Sequence, residues 1–213
     1  MTSLQQGLVG HWTFDDADVE GTTARDVTPY GNDGTITGAT TGVSGQIGEA
    51  LDFDGTTDYV NLPELTAIGD TGTLTCWVKF DAVNTGTRQY LFASYGSGSG
   101  TILSLLEDSG LMQFGLGDRS RISSGLSVTT GTWYFFGLVW DSGSYTVYVD
   151  TDSNAGEYTG TVGSVDPFFG ALNGSPTQLL DGTMDNVRIY NRALSASEVA
   201  YLAQMRSNRF AYL

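Results

Sequence analysis

Short runs of alternating hydrophobic and polar residues, separated by Gly, Asn, Asp, Ser and Thr, make up most of the chain. A period of two is typical of strands that bury one face, and many short strands between turn residues indicate a sandwich or a barrel. We therefore predict an all-β fold, an antiparallel β-sandwich. Strands are expected over residues 8–14, 50–53, 59–62, 73–80, 89–94, 102–106, 111–116, 133–140, 145–149 and 184–190.

The run over residues 133–140 departs from this alternation because it is apolar on both faces. Such a strand is covered on each side, so we expect it at the centre of a sheet, beneath a second layer or loops. The chain of 213 residues, 40% of them hydrophobic, fits one sandwich domain. We predict a lead over residues 1–6, the sandwich over 7–204 and a C-terminal tail over 205–213.

One helix is expected near the end of the chain. Ser195 stands three residues before Glu198, which is the spacing of a capping box at a helix N-terminus. Val199, Leu202 and Ala203 follow at positions i, i+3 and i+4 and form one apolar stripe. The sequence therefore predicts a short helix that packs against the edge of the sandwich.

Acidic residues outnumber basic ones by 24 to 9, which gives a formal net charge of -15. Such a field repels phosphate backbones and anionic lipid headgroups, so nucleic acid and membrane surfaces are poor partners. The acidic residues are 18 Asp and 6 Glu, and Lys79 is the one lysine. Many carboxylates with almost no lysine suit molar salt, where screening shortens their repulsion. This favours a halophilic host over the alternative, an ordinary acidic extracellular protein.

Cys76 and His11 are the single cysteine and histidine of the chain. A lone cysteine forms no internal disulfide, and alternation places Cys76 on the same strand face as Leu74, Val78 and Phe80. We expect Cys76 in the core. His11 lies in the first predicted strand without the surroundings of a catalytic triad, so the sequence does not predict a catalytic thiol.

A set of ordered phrases runs from about Gly7 to Gln204: residues 7–16 (GLVGHWTFDD), 31–35 (GNDGT), 51–55 (LDFDG), 58–60 (DYV), 76–79 (CWVK), 131–134 (GTWY), 145–150 (YTVYVD) and 182–195 (GTMDNVRIYNRALS). Together they resemble the laminin-G-like, concanavalin A-like jelly-roll family. The resemblance implies two antiparallel sheets whose first and last strands pair. It also implies a fold that hosts lectins, pentraxin-like binders, polysaccharide-binding modules and glucanases, so fold alone does not fix function.

The acidic residues do not favour a glycoside hydrolase. Most such enzymes need two positioned carboxylates about 5–10 Å apart, and the glucanase branch of the resembling family implies a Glu-x-Asp-x-x-Glu strand. None of the six glutamates begins that pattern. We therefore predict that the protein is not an enzyme and keep a glucanase as the third alternative.

Two groups of acidic residues are candidates for calcium, which takes six to eight oxygen ligands and which the resemblance implies for many family members. Pairing of the first and last strands would bring together the first group, whose candidate ligands are Asp15, Asp16, Asp26, Asn32, Asp33 and Asp185. A structural calcium and a metal-free turn of Asx-type hydrogen bonds are both open for it. The second group, residues 150–154, imitates an EF-hand loop but has Ala155 where Gly is needed, so a hairpin turn is favoured.

Sugar binding would need an aromatic platform and a few polar groups that fix the hydroxyls. Candidates in loop-like segments are Tyr30, Tyr95, Arg119, Arg121, Phe168 and Phe169. For Phe168 and Phe169 the stronger interpretation is packing in the core or in an interface. No residue of this set identifies a particular glycan.

Residues 205–213 carry cationic and aromatic side chains on an otherwise acidic chain: Arg206, Arg209, Phe210 and Tyr212. Arginine forms bidentate pairs with carboxylates, and aromatic side chains bury large apolar areas on association. We predict that this tail fixes the domain to a neighbouring chain or to copies of itself. A frayed terminus is the alternative.

No signal-peptide pattern and no membrane-spanning run are visible in the sequence. Virus particles assemble in the cytoplasm, so their surface proteins need no signal, and jelly rolls suit capsid and tail surfaces. We therefore predict a non-enzymatic structural and binding protein on the virion surface of a virus that infects a halophile, in contact with host glycans and other virion proteins. The alternative is a lectin-like carbohydrate-binding module of a secreted or cell-surface protein.

Overall fold

A computed structural model describes residues 4–83, 85–94, 101–106, 109–118, 121–163, 167–172 and 178–205. The described part forms an antiparallel β-sandwich with one α-helix and a short 3-10 turn at Asp16–Asp18. The elements are β1 (Leu8–Trp12), β2 (Val19–Glu20), β3 (Thr23–Ala24), β4 (Gly34–Thr37), β5 (Thr40–Ser44), β6 (Glu49–Asp54), β7 (Tyr59–Asn61), β8 (Thr71–Phe80), β9 (Gln89–Ser94), β10 (Thr101–Leu106), β11 (Leu111–Gly117), β12 (Arg121–Ser127), β13 (Trp133–Asp141), β14 (Ser144–Val149), β15 (Asp152–Glu157), β16 (Phe168–Phe169), β17 (Asp181–Tyr190) and α1 (Ala196–Gln204).

The first sheet, which we call sheet I, has the strand order β15-β14-β13-β8-β17-β6-β5. Strand β1 also pairs with β17, antiparallel, which confirms the pairing of first and last strands that the family resemblance implies. Strand β6 pairs with residues 181–184 of β17 and β1 pairs with residues 187–190. The interval between them coincides with a β-bulge, where Asp185 is opposed to Trp77 but the next paired residue is Arg188, opposed to Thr75.

The second sheet, sheet II, has the order β12-β11-β10-β9-β16-β7-β4-β3-β2. Its inner face contributes Ile36, Val60, Phe92 and Phe114 to the core between the sheets. Its outer face is formed by the alternate positions. Tyr59 is half-buried there, whereas Ala93 is buried in a small cluster with Tyr90 and Leu172.

The core between the two sheets is built from large apolar side chains of both. Phe169 lies at its centre and contacts Trp12, Phe14 and Phe92 edge-on or tilted, with ring centroids 5.0–6.1 Å apart. Cys76 is 2% exposed in this core, as the alternation predicts. Burial raises the pKa of its thiol, so the group is kept protonated.

A second apolar layer covers the outer face of sheet I. Val199 and Leu202 of α1 pack there against Trp77, Phe135 and other side chains of the sheet, which confirms the predicted helix and the covered strand over residues 133–140. The helix lies on the face of the sheet and not, as predicted, against the edge of the sandwich. The Ser195 hydroxyl accepts from the Glu198 N–H while the Glu198 carboxylate accepts from the Ser195 N–H, so the predicted capping box is formed. No helix in the described ranges is long and apolar enough to cross a membrane.

The hairpin predicted near residues 150–154 is present but tighter than expected. Val149 is paired with Asp152, so the turn consists of Asp150 and Thr151, and residues 152–154 already belong to β15. Asp150 adopts a positive φ of 54°, which Asp tolerates better than most residues. The turn ends the groove described below.

Candidate functional site

Asp26 is the centre of a hydrogen-bonded turn beside β1, and it is 6% exposed. Its two carboxylate oxygens accept from four donors: the N–H groups of His11, Thr28 and Asn32, each at 3.0 Å, and the Thr28 hydroxyl at 2.9 Å. The Asp26 N–H donates in turn to Asp33 Oδ1 at 2.9 Å. These contacts are the Asx-type network that the sequence left open as the alternative to calcium.

The other predicted calcium ligands lie around the turn formed by residues 45–48. The Ile47 N–H donates to Asp185 Oδ2 at 2.7 Å, and the Glu49 N–H donates to Asp15 Oδ1 at 2.8 Å. The Asp16 N–H donates to the Glu49 carboxylate at 2.6 Å. The carboxylates of Asp185, Asp15 and Glu49 therefore each accept a backbone hydrogen bond already.

The backbone approaches these carboxylates closely. Gly48 has a φ of +72°, and a Cβ atom there would lie 2.2 Å from Asp15 Oδ1. Only glycine satisfies both conditions, because it lacks the Cβ atom and adopts positive φ without strain. Gly48 therefore fixes how the turn meets Asp15.

The six predicted ligands thus form two hydrogen-bonded groups rather than one shell of free oxygen atoms. Within the ranges that the structure describes, no group of three or more His, Cys, Asp or Glu side chains is arranged to hold a metal ion. The donor set of Asp26 does not fit calcium, because hydrogen-bond donors already occupy both oxygens. Calcium binding stays a prediction without a supporting cluster among these side chains.

The predicted sugar-binding residues are dispersed. Tyr30 is 57% exposed in the loop beside Asp26. Arg121 and Phe168 share the outer face of sheet II, because a row of directly opposed residues joins β12 to β16 through β11, β10 and β9. Four strand spacings separate the two side chains by roughly 19 Å, so they do not form one subsite.

Phe168 packs edge-on against Tyr59, with ring centroids 5.8 Å apart, and is half-buried. Phe169 is 0% exposed in the core, so its assignment to a sugar platform is wrong and the core interpretation is confirmed for it. Alternation of the strand sends these two neighbours to opposite faces. Tyr95, Arg119 and the tail residues Arg206, Arg209, Phe210 and Tyr212 lie outside the described residues.

A groove that the sequence analysis missed runs between the outer face of sheet I and α1, with a volume of about 530 Å³. We call it the helix groove. Trp77, Trp133 and Tyr148 line it from the sheet, and Ala203 is one of the helix residues on its other wall. Polar side chains at its end and rim are those of Gln46, Asp150, Thr151, Ser153 and Gln204.

The walls of the helix groove are held in place by specific contacts. Trp77 packs edge-on against Phe135 at 5.4 Å between ring centroids, and the Lys79 ammonium lies 5.5 Å from the centroid of a Trp133 ring. Asp150 Oδ1 accepts from the Phe135 N–H at 2.8 Å, and the Asp150 N–H donates to the Phe135 carbonyl at 2.8 Å. The groove therefore combines fixed aromatic walls with a polar end.

A model of the concanavalin A-like lectin/glucanases superfamily matches residues 54–200, which is more than half of the chain. The chain belongs to this superfamily. The antiparallel sandwich and its strand pairing agree with that fold. A comparison with curated protein sequences gives no significant match.

Several solved structures share the superfamily fold. Domain 4 of the extracellular arabinanase AbnA from Geobacillus stearothermophilus, solved with arabinotriose, is 24% identical with a TM-score of 0.73, and the match covers 92% of this chain and 98% of that one. The binding domain of Paraclostridial Mosquitocidal Protein 1 is 18% identical with a TM-score of 0.76, covering 94% of this chain and 52% of that one. Trypanosoma rangeli sialidase is 20% identical with a TM-score of 0.73, and the chain spans 32% of its length. At these identities the likeness establishes the fold.

Within the superfamily fold, the helix groove lies on sheet I and the predicted residues Arg121 and Phe168 lie on sheet II, the other side of the sandwich. The two surfaces are therefore independent candidates for a ligand. The helix groove has the concave shape and the mixed aromatic and polar lining typical of small-molecule sites, which span about 300–1,000 Å³.

Proposed function

We propose that this protein is a non-enzymatic glycan-binding module and that the helix groove is its binding site. The observation that carries the proposal is that Trp133 and Tyr148, both half-buried, line one concave groove together with hydroxyl and amide side chains. An aromatic ring packs against the apolar face of a sugar ring, and the rim groups Thr151 and Ser153 are suited to hydrogen bonds with its hydroxyls.

The charge of the protein favours a neutral glycan. Its net charge is -15, and Asp150 adds a carboxylate at the end of the groove. An anionic sugar would be repelled at short range by Asp150, and in dilute salt by the whole field as well. Neutral hexose or pentose oligosaccharides are therefore the ligand class that we propose.

The groove supports binding rather than hydrolysis. Among the described residues that line it, Asp150 is the single carboxylate, and one of its oxygens accepts from the Phe135 N–H. Most glycoside hydrolases need a pair of carboxylates flanking the bond. Chromatography of the bound oligosaccharide after prolonged incubation should therefore show it intact.

We expect Trp133→Ala to raise the dissociation constant for a neutral oligosaccharide at least about tenfold, equivalent to roughly 1.4 kcal/mol. The variant removes one of the two aromatic rings that we propose contact the sugar. Because Trp133 is only half-buried, its loss should leave the fold intact. A neutral-glycan array identifies the ligand, and isothermal titration calorimetry with that oligosaccharide measures the change.

Tyr59→Ala and Tyr201→Ala are the matched controls. Tyr59 is a half-buried aromatic residue on sheet II, and Tyr201 is 47% exposed on α1 and does not line the groove. Both should bind like the wild type. If Tyr59→Ala alone loses binding, the site lies on sheet II and not in the helix groove. If no glycan on the array binds, the proposed function is wrong.

We propose the virion surface of a virus of a halophile as the setting of this binding, with other virion proteins as partners. The composition supports it, since 18 Asp and one Lys suit a highly saline medium. Mass spectrometry of purified particles should detect the chain, and its unfolding midpoint should rise from dilute to multimolar KCl. Equal or lower stability in KCl would remove the halophile argument.

A further inference from the structure

Arg188 places a guanidinium group in the outer face of sheet I, where it is 4% exposed. Its strand neighbours Val187 and Ile189 belong to the core between the sheets, so Arg188 projects to the opposite face. Directly opposed to it are His11 on β1 and Thr75 on β8. Side chains opposed in this way have Cβ atoms about 4.5–5.5 Å apart, so these three side chains leave the sheet side by side.

Two hydrogen-bonding atoms in this row have no partner. Nη2 of Arg188 and Oγ1 of Thr75 are both buried and make no hydrogen bond. No ion pair joins Arg188 to a carboxylate of the described ranges. A buried charge without a partner is strongly destabilising, so an acceptor for these two donors is expected.

None of the neighbouring side chains in the described ranges makes a hydrogen bond to either of these two atoms. Burial, and next the charge of Arg188, hold the pKa of His11 well below its usual value, so the imidazole is neutral near pH 7. Its Nε2 donates to Asn186 Oδ1 at 3.1 Å, because an amide oxygen only accepts. Burial lowers the pKa of Arg188 and the charge of Asp185 acts against this shift, but the Asp185 carboxylate forms no ion pair with the guanidinium and accepts from the Ile47 N–H at 2.7 Å.

We propose that Arg188 and Thr75 form a buried binding site for one weakly hydrated monovalent halide ion, chloride or bromide. The Arg188 Nη2 group and the Thr75 hydroxyl both donate to it, and its single negative charge balances the guanidinium. Gly137 is opposed to Thr75 on the other side, so the next position in the row carries no side chain, and Tyr148 and Phe135 lie 3.4–3.5 Å from where its Cβ atom would be. Burial excludes large oxyanions, and the cost of dehydration disfavours fluoride.

Crystals grown in sodium bromide test the site directly. An anomalous peak within contact of Arg188 Nη2 and Thr75 Oγ1 is the expected result. A water molecule there without anomalous signal, or bromide on the protein surface only, would overturn the proposal.

Thr75→Val tests it in solution, because valine keeps the shape of threonine and removes the hydroxyl. When the chloride concentration exceeds the dissociation constant of the site, each further tenfold rise in chloride should raise the folding equilibrium constant of the wild type about tenfold. This rise is counted in addition to any rise that sodium gluconate causes at the same concentrations. Thr75→Val should lose most of this chloride-specific part.

Ser104→Ala is the matched control, since Ser104 has the same kind of buried, unpartnered hydroxyl on β10, in sheet II. It should keep the full chloride response. An identical chloride response in the wild type and Thr75→Val, measured against gluconate, would overturn the proposal even if Arg188 variants fail to fold.

Discussion

Asp26→Asn is expected to lower the free energy of unfolding by about 3 kcal/mol or more, because it turns one acceptor oxygen into a donor that faces existing donors. Asp26 is 6% exposed, and its oxygens accept from three backbone N–H groups and one hydroxyl. The His11 N–H belongs to β1 and the Asn32 N–H to the loop beside it, so the Asp26 carboxylate joins the two segments. Urea denaturation of both proteins measures the loss.

Asp54→Asn is the matched control for this prediction. Asp54 also accepts from four donors, the N–H and hydroxyl groups of Thr56 and Thr57, but it is exposed. Water can replace the lost acceptor there, so Asp54→Asn should cost much less. Equal losses in the two variants would contradict the argument from burial.

The wild type and Asp26→Asn also test whether calcium binds at Asp26. Because the oxygens of Asp26 are already occupied by hydrogen-bond donors, a chelator should leave the difference in melting temperature between the wild type and Asp26→Asn unchanged. A calcium-dependent rise in melting temperature that Asp26→Asn abolishes would instead establish Asp26 as a ligand.

The strands that the sequence predicts are those with a buried face. The run over residues 73–80 becomes most of β8, and 184–190 most of β17, because alternating large side chains face the core there. The strands it misses include β5 and β15, whose residues are mostly exposed and pair on one side only. Edge strands of small polar residues carry no alternation to detect.

The candidate site could not be predicted in the same way. Trp133 lies in a run that is apolar on both faces, which correctly indicates a covering layer, but not that α1 leaves a groove beside Tyr148. The position of Arg188 is hidden for a different reason. A charged residue in an alternating strand is expected to face solvent, and only its neighbours from β1 and β8 place it in the interior.

The stability of the wild type relative to Asp185→Asn is expected to fall by about 3 kcal/mol between about pH 5 and pH 8, because of the carboxyl of Asp185. This residue is 0% exposed, and burial raises the pKa of its carboxyl to about 7, with a smaller contribution from the charge of Asp15. The unfolded chain holds the ordinary value near 3.8. The folded state therefore binds the proton more tightly, and its advantage is lost as pH rises from the unfolded towards the folded pKa.

Asp185→Asn separates this effect from every other titrating group. The amide keeps an oxygen that can accept from the Ile47 N–H, as the carboxylate does at 2.7 Å, but it has no proton to release. The variant should therefore lack this loss, so that the difference between the two curves changes by about 3 kcal/mol and they converge or cross towards high pH. Burial holds the pKa of His11 well below its usual value in both proteins, so the rise in stability that His11 contributes with increasing pH cancels in the difference. Glu198 does not obscure the result, because Arg192 lowers the pKa of that carboxyl to about 2, and its contribution changes only in more acidic solution. Urea denaturation across the interval gives both curves, and parallel curves would show that Asp185 is ionised throughout and that its burial is offset by the surrounding donors.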